Sequence, residues 1–135
     1  MKSEKYNSNS VSEDGLLLQE TCYKITGCAI DILNALGPGL SENIYSECLK
    51  IEMDKRNIAY YSDCACPLIY AQRKVGEVSV PFVVEDRLVV ACVVSEHFNE
   101  TDYSRYISCL RALGLPMALL LNFQFGKLQW RKILV

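Results

Sequence analysis

The apolar run Met117 to Phe123 constrains this chain more than any other segment. It is too short to cross a membrane, which takes roughly 18 residues or more. Its length and content are those of a strand buried on both faces. Such a strand needs neighbouring strands beside it and packed helices above and below it.

The other segments supply those parts. From Leu16 the pattern is helical, with Cys22, Ile25, Ala29, Ile32 and Leu36 at three- and four-residue steps. Gly37-Pro38-Gly39 ends that helix. A second helix is expected from Ser41, a natural N-cap, to about Asn57. Ile44, Cys48 and Ile51 share one of its faces, flanked by Tyr45, Leu49 and Met53, and Glu42 and Glu47 lie toward the positive end of its dipole. Ile58 to Gln72 is extended in character, and Arg73 to Gly76 has the composition of a turn. Glu77 to Val84 and Leu88 to Ser95 are two β-branched runs joined at Glu85-Asp86-Arg87, a hairpin by spacing. Thr101 caps a third helix carrying Tyr106, Cys109, Leu110 and Leu113, which stops at Gly114. Leu128 to Val135 supplies a last strand. The fold class is α/β: a mixed sheet flanked by helices.

At 135 residues, the chain has room for one core of ordinary size. Met1 to Asp14, rich in Ser, Asn, Lys and Glu, reads as a flexible tail, leaving 15–135 as a single domain. Half the residues are hydrophobic and 22% charged, with a mean hydropathy of +0.09, which excludes a disordered chain. Glu20, Lys24 and Asp31 interrupt the best candidate membrane span, and the N-terminus lacks the apolar stretch of a secretory signal. The net charge of −2 does not favour non-specific nucleic-acid binding, which usually shows as a basic excess. The seven cysteines, at 22, 28, 48, 64, 66, 92 and 109, include no C-x-x-C pair. Most sit among apolar residues, where free cysteine acts as a small hydrophobe. They point to an intracellular, reducing compartment rather than to a disulfide framework, and Cys64-x-Cys66 with the single His97 falls short of a zinc site.

Gly39-Leu40-Ser41-Glu42-Asn43-Ile44-Tyr45 spells Gly-x-x-Glu-x-x-Tyr directly after Leu36-Gly37-Pro38. With the hairpin at Val84-Glu85-Asp86-Arg87, the helix end Leu110 to Leu115 and the strand Ala118 to Phe123, this resembles the GxxExxY protein family, a branch of the PD-(D/E)XK nuclease superfamily. The resemblance runs from about Leu16 to Val135. It implies a restriction-endonuclease-like sheet of core order α-β-β-β-α-β, here with an extra N-terminal helix and C-terminal strand. It also implies an acid on the helix near the motif, an Asp on one hairpin strand and Glu-x-Lys on the next. In an active member the carboxylates hold Mg²⁺, and metal and lysine activate a water against phosphate.

Anchored on the Val84 to Arg87 turn, the family's Asp falls at Pro81, its Glu at Ala91 and its Lys at Val93. A helical Gln common in the family falls at Arg105, so only Glu42 retains its type. Proline, alanine and valine supply no side-chain oxygen, and Pro81 is expected to bend or bulge its strand. Glu77, Glu85, Asp86 and Glu96 are the acids that could rebuild a metal site, although Glu85 and Asp86 read more simply as a solvated turn.

Other features weigh toward ordinary structure. Glu42 and Tyr45 share a helix face. They are a remnant ligand with its neighbour or, more simply, a first-turn glutamate and a tyrosine packing on the sheet. His97 reads as a surface residue. Tyr60, Tyr61 and Tyr70 read as half-buried strand tyrosines rather than base-stacking platforms. Trp130, on the last strand, is a candidate interface residue if that strand lies at the sheet edge.

The sequence therefore points to a catalytically degenerate nuclease fold, kept for binding or assembly with a protein partner or a second copy, with no cofactor and no membrane. Its alternatives are a metal-dependent nuclease with relocated residues, which alone would need Mg²⁺, and a non-catalytic nucleic-acid-binding module.

Overall fold

The computed structural model describes residues 13–135, which form three helices and one five-stranded sheet. The helices are α1 (Glu13–Leu36), α2 (Glu42–Lys55) and α3 (Glu100–Leu113). The strands are β1 (Tyr60–Tyr70), β2 (Arg73–Val84), β3 (Leu88–Val93), β4 (Met117–Asn122) and β5 (Gln129–Leu134). Glu13 and Asp14, assigned from sequence to the tail, form the first turn of α1, and the rest of that tail lies outside the described residues. No described helix is long and apolar enough to cross a membrane.

The sheet order is β1-β2-β3-β4-β5. β1, β2 and β3 form an antiparallel meander, α3 carries the chain across to β4 parallel to β3, and β5 returns antiparallel at the far edge. All six residues of β4 are buried, as its apolar run requires. One core joins α1 and α2 to one sheet face through Ile25, Ile32, Tyr45, Leu49, Phe82, Val90, Leu119 and Leu121. The other joins α3 to the opposite face through Val80, Val89, Ala91, Tyr106, Leu110, Leu120 and Ile133.

Several local details depart from the sequence reading. In α2 the buried side chains are Tyr45, Leu49 and Met53, whereas Ile44 and Ile51 are exposed. Two neighbouring apolar stripes compete for the core, and stacking of Tyr45 on Phe123 fixes the rotation of the helix. Ser41 stands at the N-cap of α2, but its hydroxyl makes no capping bond. Asn99 rather than Thr101 caps α3, its side-chain oxygen accepting from the Thr101 N–H at 2.7 Å. The β1–β2 turn is Ala71-Gln72, both left-handed, and Arg73 to Gly76 already belong to β2.

Pro81 introduces no bulge. The β1–β2 register is constant from Tyr60↔Val84 to Leu68↔Gly76, and the shift lies beyond it, between Leu68 and Ile69. Ladder pairing is interrupted only where Pro81 faces Asp63, which is left-handed at φ 53°. Both strands exchange faces there together. Tyr60 and Phe82 pack on the α1/α2 side, while Cys66 and Val80 pack under α3.

Candidate functional site

The Gly-x-x-Glu-x-x-Tyr motif docks the start of α2 onto the C-terminal ends of β3 and β4, and each of its three residues makes a separate bond. Gly39 has φ +82°, which an L side chain rarely adopts, and its N–H donates to the Phe123 carbonyl at 2.9 Å. Tyr45 is fully buried, with its ring stacked on Phe123 at a centroid distance of 4.2 Å. Its hydroxyl donates to the Gly37 carbonyl at 2.6 Å and accepts from the Leu40 N–H at 3.1 Å, closing the loop between α1 and α2. Glu42, exposed in the first turn of α2, accepts from the Val94 N–H at 3.2 Å, one residue beyond β3.

Asn122 completes this end of the sheet and was not singled out from the sequence. It is buried at 1% exposure. Its side-chain oxygen accepts from the N–H groups of Ser95 (3.2 Å) and Gln124 (3.1 Å), and its amide donates to the Ser95 carbonyl at 2.8 Å. It ties down the chain leaving β3, where no ladder continues. The available signal was one amide interrupting an apolar strand, since a buried polar group needs partners.

The positions that the resemblance assigns to metal chemistry lie nearby. Ala91 is 1% exposed in the core that contains Tyr106, Cys109 and Leu110 of α3. Val93, paired with Asn122 on β4, is half-buried, and so is Pro81, which directly precedes the short β2–β3 ladder. Arg105 is exposed on α3, bonded to Asp102 at 3.1 Å, with its guanidinium 5.6 Å from the Tyr106 ring centre. On the opposite sheet face Cys92 is buried beside Ser46 and within the field of Glu42. Burial pushes its thiol up to about 12, partly offset by the Ser46 hydrogen bond. This thiol is neutral at physiological pH.

The remaining acids are elsewhere. Glu77 is exposed and bonded to Lys74 at 2.7 Å, and the exchange of faces at Pro81 separates it from Ala91. Glu96 and His97 are exposed beyond the end of β3. Glu85 and Asp86 sit at the other end of β3, about 17 Å from Val93 at the rise of a strand. Glu85 is not a solvated turn residue. It is left-handed at φ 52°, accepts from the buried Thr21 hydroxyl at 2.5 Å and lies 3.6 Å from the Lys24 ammonium. It anchors the β2–β3 turn to α1. Among the described residues no three His, Cys, Asp or Glu side chains converge as a metal site requires.

Tyr60 packs edge-on against Phe82, whereas Tyr61 and Tyr70 are exposed, against the half-buried expectation. Trp130 is on the edge strand at 48% exposure.

A helix-flanked mixed sheet with this element order is what the superfamily resemblance implies, and the PD-(D/E)XK nuclease superfamily model matches residues 19–133. The chain belongs to the PD-(D/E)XK nuclease superfamily. No curated protein and no solved structure matches it. The matched span includes every strand except the last residue of β5, so membership covers the sheet, both helical layers and the motif end.

Proposed function

We propose that this PD-(D/E)XK domain is catalytically degenerate and serves as a binding or assembly module. The observation that carries this reading is the chemistry of one sheet face. Pro81, Ala91 and Val93 stand where the superfamily resemblance places Asp, Glu and Lys, and Ala91 is packed under α3. Mg²⁺ takes oxygen ligands in octahedral geometry and commonly takes one or two of them from protein carboxylates. At this end of the sheet Glu42 is the carboxylate the resemblance identifies, and it already holds the Val94 N–H. The neighbouring Cys92 offers a soft, protonated thiol. These residues do not fit the metal. The free thiols, most of them buried, support a role in a reducing compartment.

The full chain should be incubated with single- and double-stranded DNA and RNA in Mg²⁺ or Mn²⁺, beside Glu42→Ala. The expected result is no metal-dependent cutting above that variant. Metal-dependent cutting abolished by Glu42→Ala would overturn the reading in favour of a nuclease with relocated ligands.

A further inference from the structure

The sheet has two free edges, and they are built differently. β1 is blunted along its backbone by left-handed Asp63, by Pro67, which has no N–H, and by the register shift after Leu68. Such devices keep an edge strand from pairing with another chain. β5 has none of these backbone devices. It pairs with β4 in one unbroken register from Met117↔Leu134 to Asn122↔Gln129, without Gly, Pro or a left-handed residue. Among the described residues nothing pairs with its outer edge.

The side chains of β5 define what could pair there. Trp130 and Leu134 lie opposite Leu121 and Met117, placing them with Lys132 on the α1/α2 side of the sheet. Both apolar residues are open to solvent, at 48% and 60% exposure. On the other side Arg131 lies over the Phe98 ring at 4.9 Å. From Tyr103 to Val135 the sequence contains Arg105, Arg111, Lys127, Arg131 and Lys132 and no acidic residue. Among the described residues, Lys127, Arg131 and Lys132 have no carboxylate partner.

This charge selects the occupant. A second copy of β5 placed antiparallel across a two-fold axis at Arg131 or Lys132 would set one of these cations directly opposite its own copy and the other on the diagonal, and like charges in cross-strand positions repel. An acidic strand would be attracted by the same residues.

We propose that the outer edge of β5 captures an extended acidic segment of a protein partner by β-strand addition. This deepens the assembly role proposed above and rests on it. Backbone groups of the segment pair with the free edge. On the Trp130 side it presents apolar, acidic and apolar residues at alternate positions, the acid facing Lys132 and the apolar side chains covering Trp130 and Leu134.

Trp130 is the single tryptophan of the chain, so its emission reports on this edge directly. The test uses the full chain and a labelled synthetic peptide in which valine, glutamate and valine occupy alternate positions. Expected are saturable anisotropy and a blue shift of Trp130 emission. The double variant Arg131→Glu with Lys132→Glu should bind at least about tenfold more weakly and recover with a peptide carrying lysine for glutamate. Circular dichroism should be unchanged in that variant. Backbone N-methylation of the peptide should abolish binding without touching the protein.

Absence of a saturable shift, or equal binding of the N-methylated peptide, would overturn the proposal. So would a dimer by light scattering with Trp130 already blue-shifted, which makes a second copy the occupant. A single-stranded oligonucleotide that shifts Trp130 where the acidic peptide does not would also overturn it, assigning the surface to nucleic acid. Nuclease assays on the same preparation separate failure of this proposal from failure of the degenerate-fold reading.

Discussion

Ala91→Glu, which places a carboxylate where the family resemblance assigns one, tests whether that sheet face is core. Ala91 is 1% exposed in the core that contains Val89, Tyr106, Cys109 and Leu110, which Arg105 borders with its guanidinium 5.6 Å from the Tyr106 ring centre. A fully buried carboxylate has its pKa raised by up to about 3–5 units. At neutral pH the group escapes by taking up a proton, so the cost is capped at about 1.4 kcal/mol for each of the roughly 2.7 units between pH 7 and its ordinary value of about 4.3, or about 4 kcal/mol. The larger side chain adds about 1–3 kcal/mol of overpacking. Together these reach the lower end of the stability of an ordinary domain, about 5–15 kcal/mol.

The two contributions separate with pH. The carboxyl is raised in the folded state, so its folding contribution is intact below the unfolded value of about 4.3 and is lost as pH rises through the folded value. The deficit of Ala91→Glu should therefore shrink toward the steric share as pH falls to about 4.3, while that of Ala91→Gln stays nearly flat. Urea denaturation of both variants and the parent across this range is the assay. A cost below about 1 kcal/mol at neutral pH, without pH dependence, would show that the face is open to water and refute the inference.

Three further outcomes follow from particular contacts. Tyr45→Phe keeps the ring on Phe123 but leaves the Gly37 carbonyl and Leu40 N–H without their partner, and should cost about 1–3 kcal/mol in urea denaturation. Thr21→Val should cost a similar amount by removing the hydroxyl bond to Glu85, leaving Lys24 as the contact of Glu85 with α1, and a double-mutant cycle with Glu85→Gln reads the coupling directly. Burial raises Cys92 to about 12 and Cys109 to about 11, both above the ordinary thiol value of 9.0. Stability is thus fully present below about pH 9 and declines as pH rises from there through the folded values, by about 1.4 kcal/mol per unit for Cys92, and Cys92→Ala should lessen the slope in alkaline denaturation.

Periodicity carried most of the architecture. The doubly buried strand at Met117 to Phe123, the α1 face of Cys22, Ile25, Ala29 and Ile32, and a helix between the hairpin and that strand were legible because each rests on a consistent apolar pattern, whereas the parallel pairing of β3 with β4 appears only in the structure. The α2 face was not, because two apolar stripes lie side by side and only the tertiary contact of Tyr45 with Phe123 decides between them. The β1–β2 turn was missed because Ala71-Gln72 adopts left-handed geometry without the glycine or asparagine that signals it.

The motif residues were legible, but what each one holds was not. Gly39, Glu42 and Tyr45 bond to backbone groups of Phe123, Val94, Gly37 and Leu40, and backbone partners leave no trace in residue identity. The Thr21–Glu85 anchor spans 64 positions and carries no local pattern. Pro81 was expected to distort its strand alone. Instead left-handed Asp63 across the ladder turns both strands together, a pairing that appears only once the register is known.

Calorimetric titration of the full chain with Mn²⁺ tests the central claim most directly, since it reads the metal site without requiring a substrate. Expected are no stoichiometric heat in the parent, no change on Glu42→Ala, and none with Mg²⁺. Stoichiometric micromolar Mn²⁺ binding that disappears in Glu42→Ala would contradict the claim, showing that Glu42 still heads a working metal site at the ends of β3 and β4.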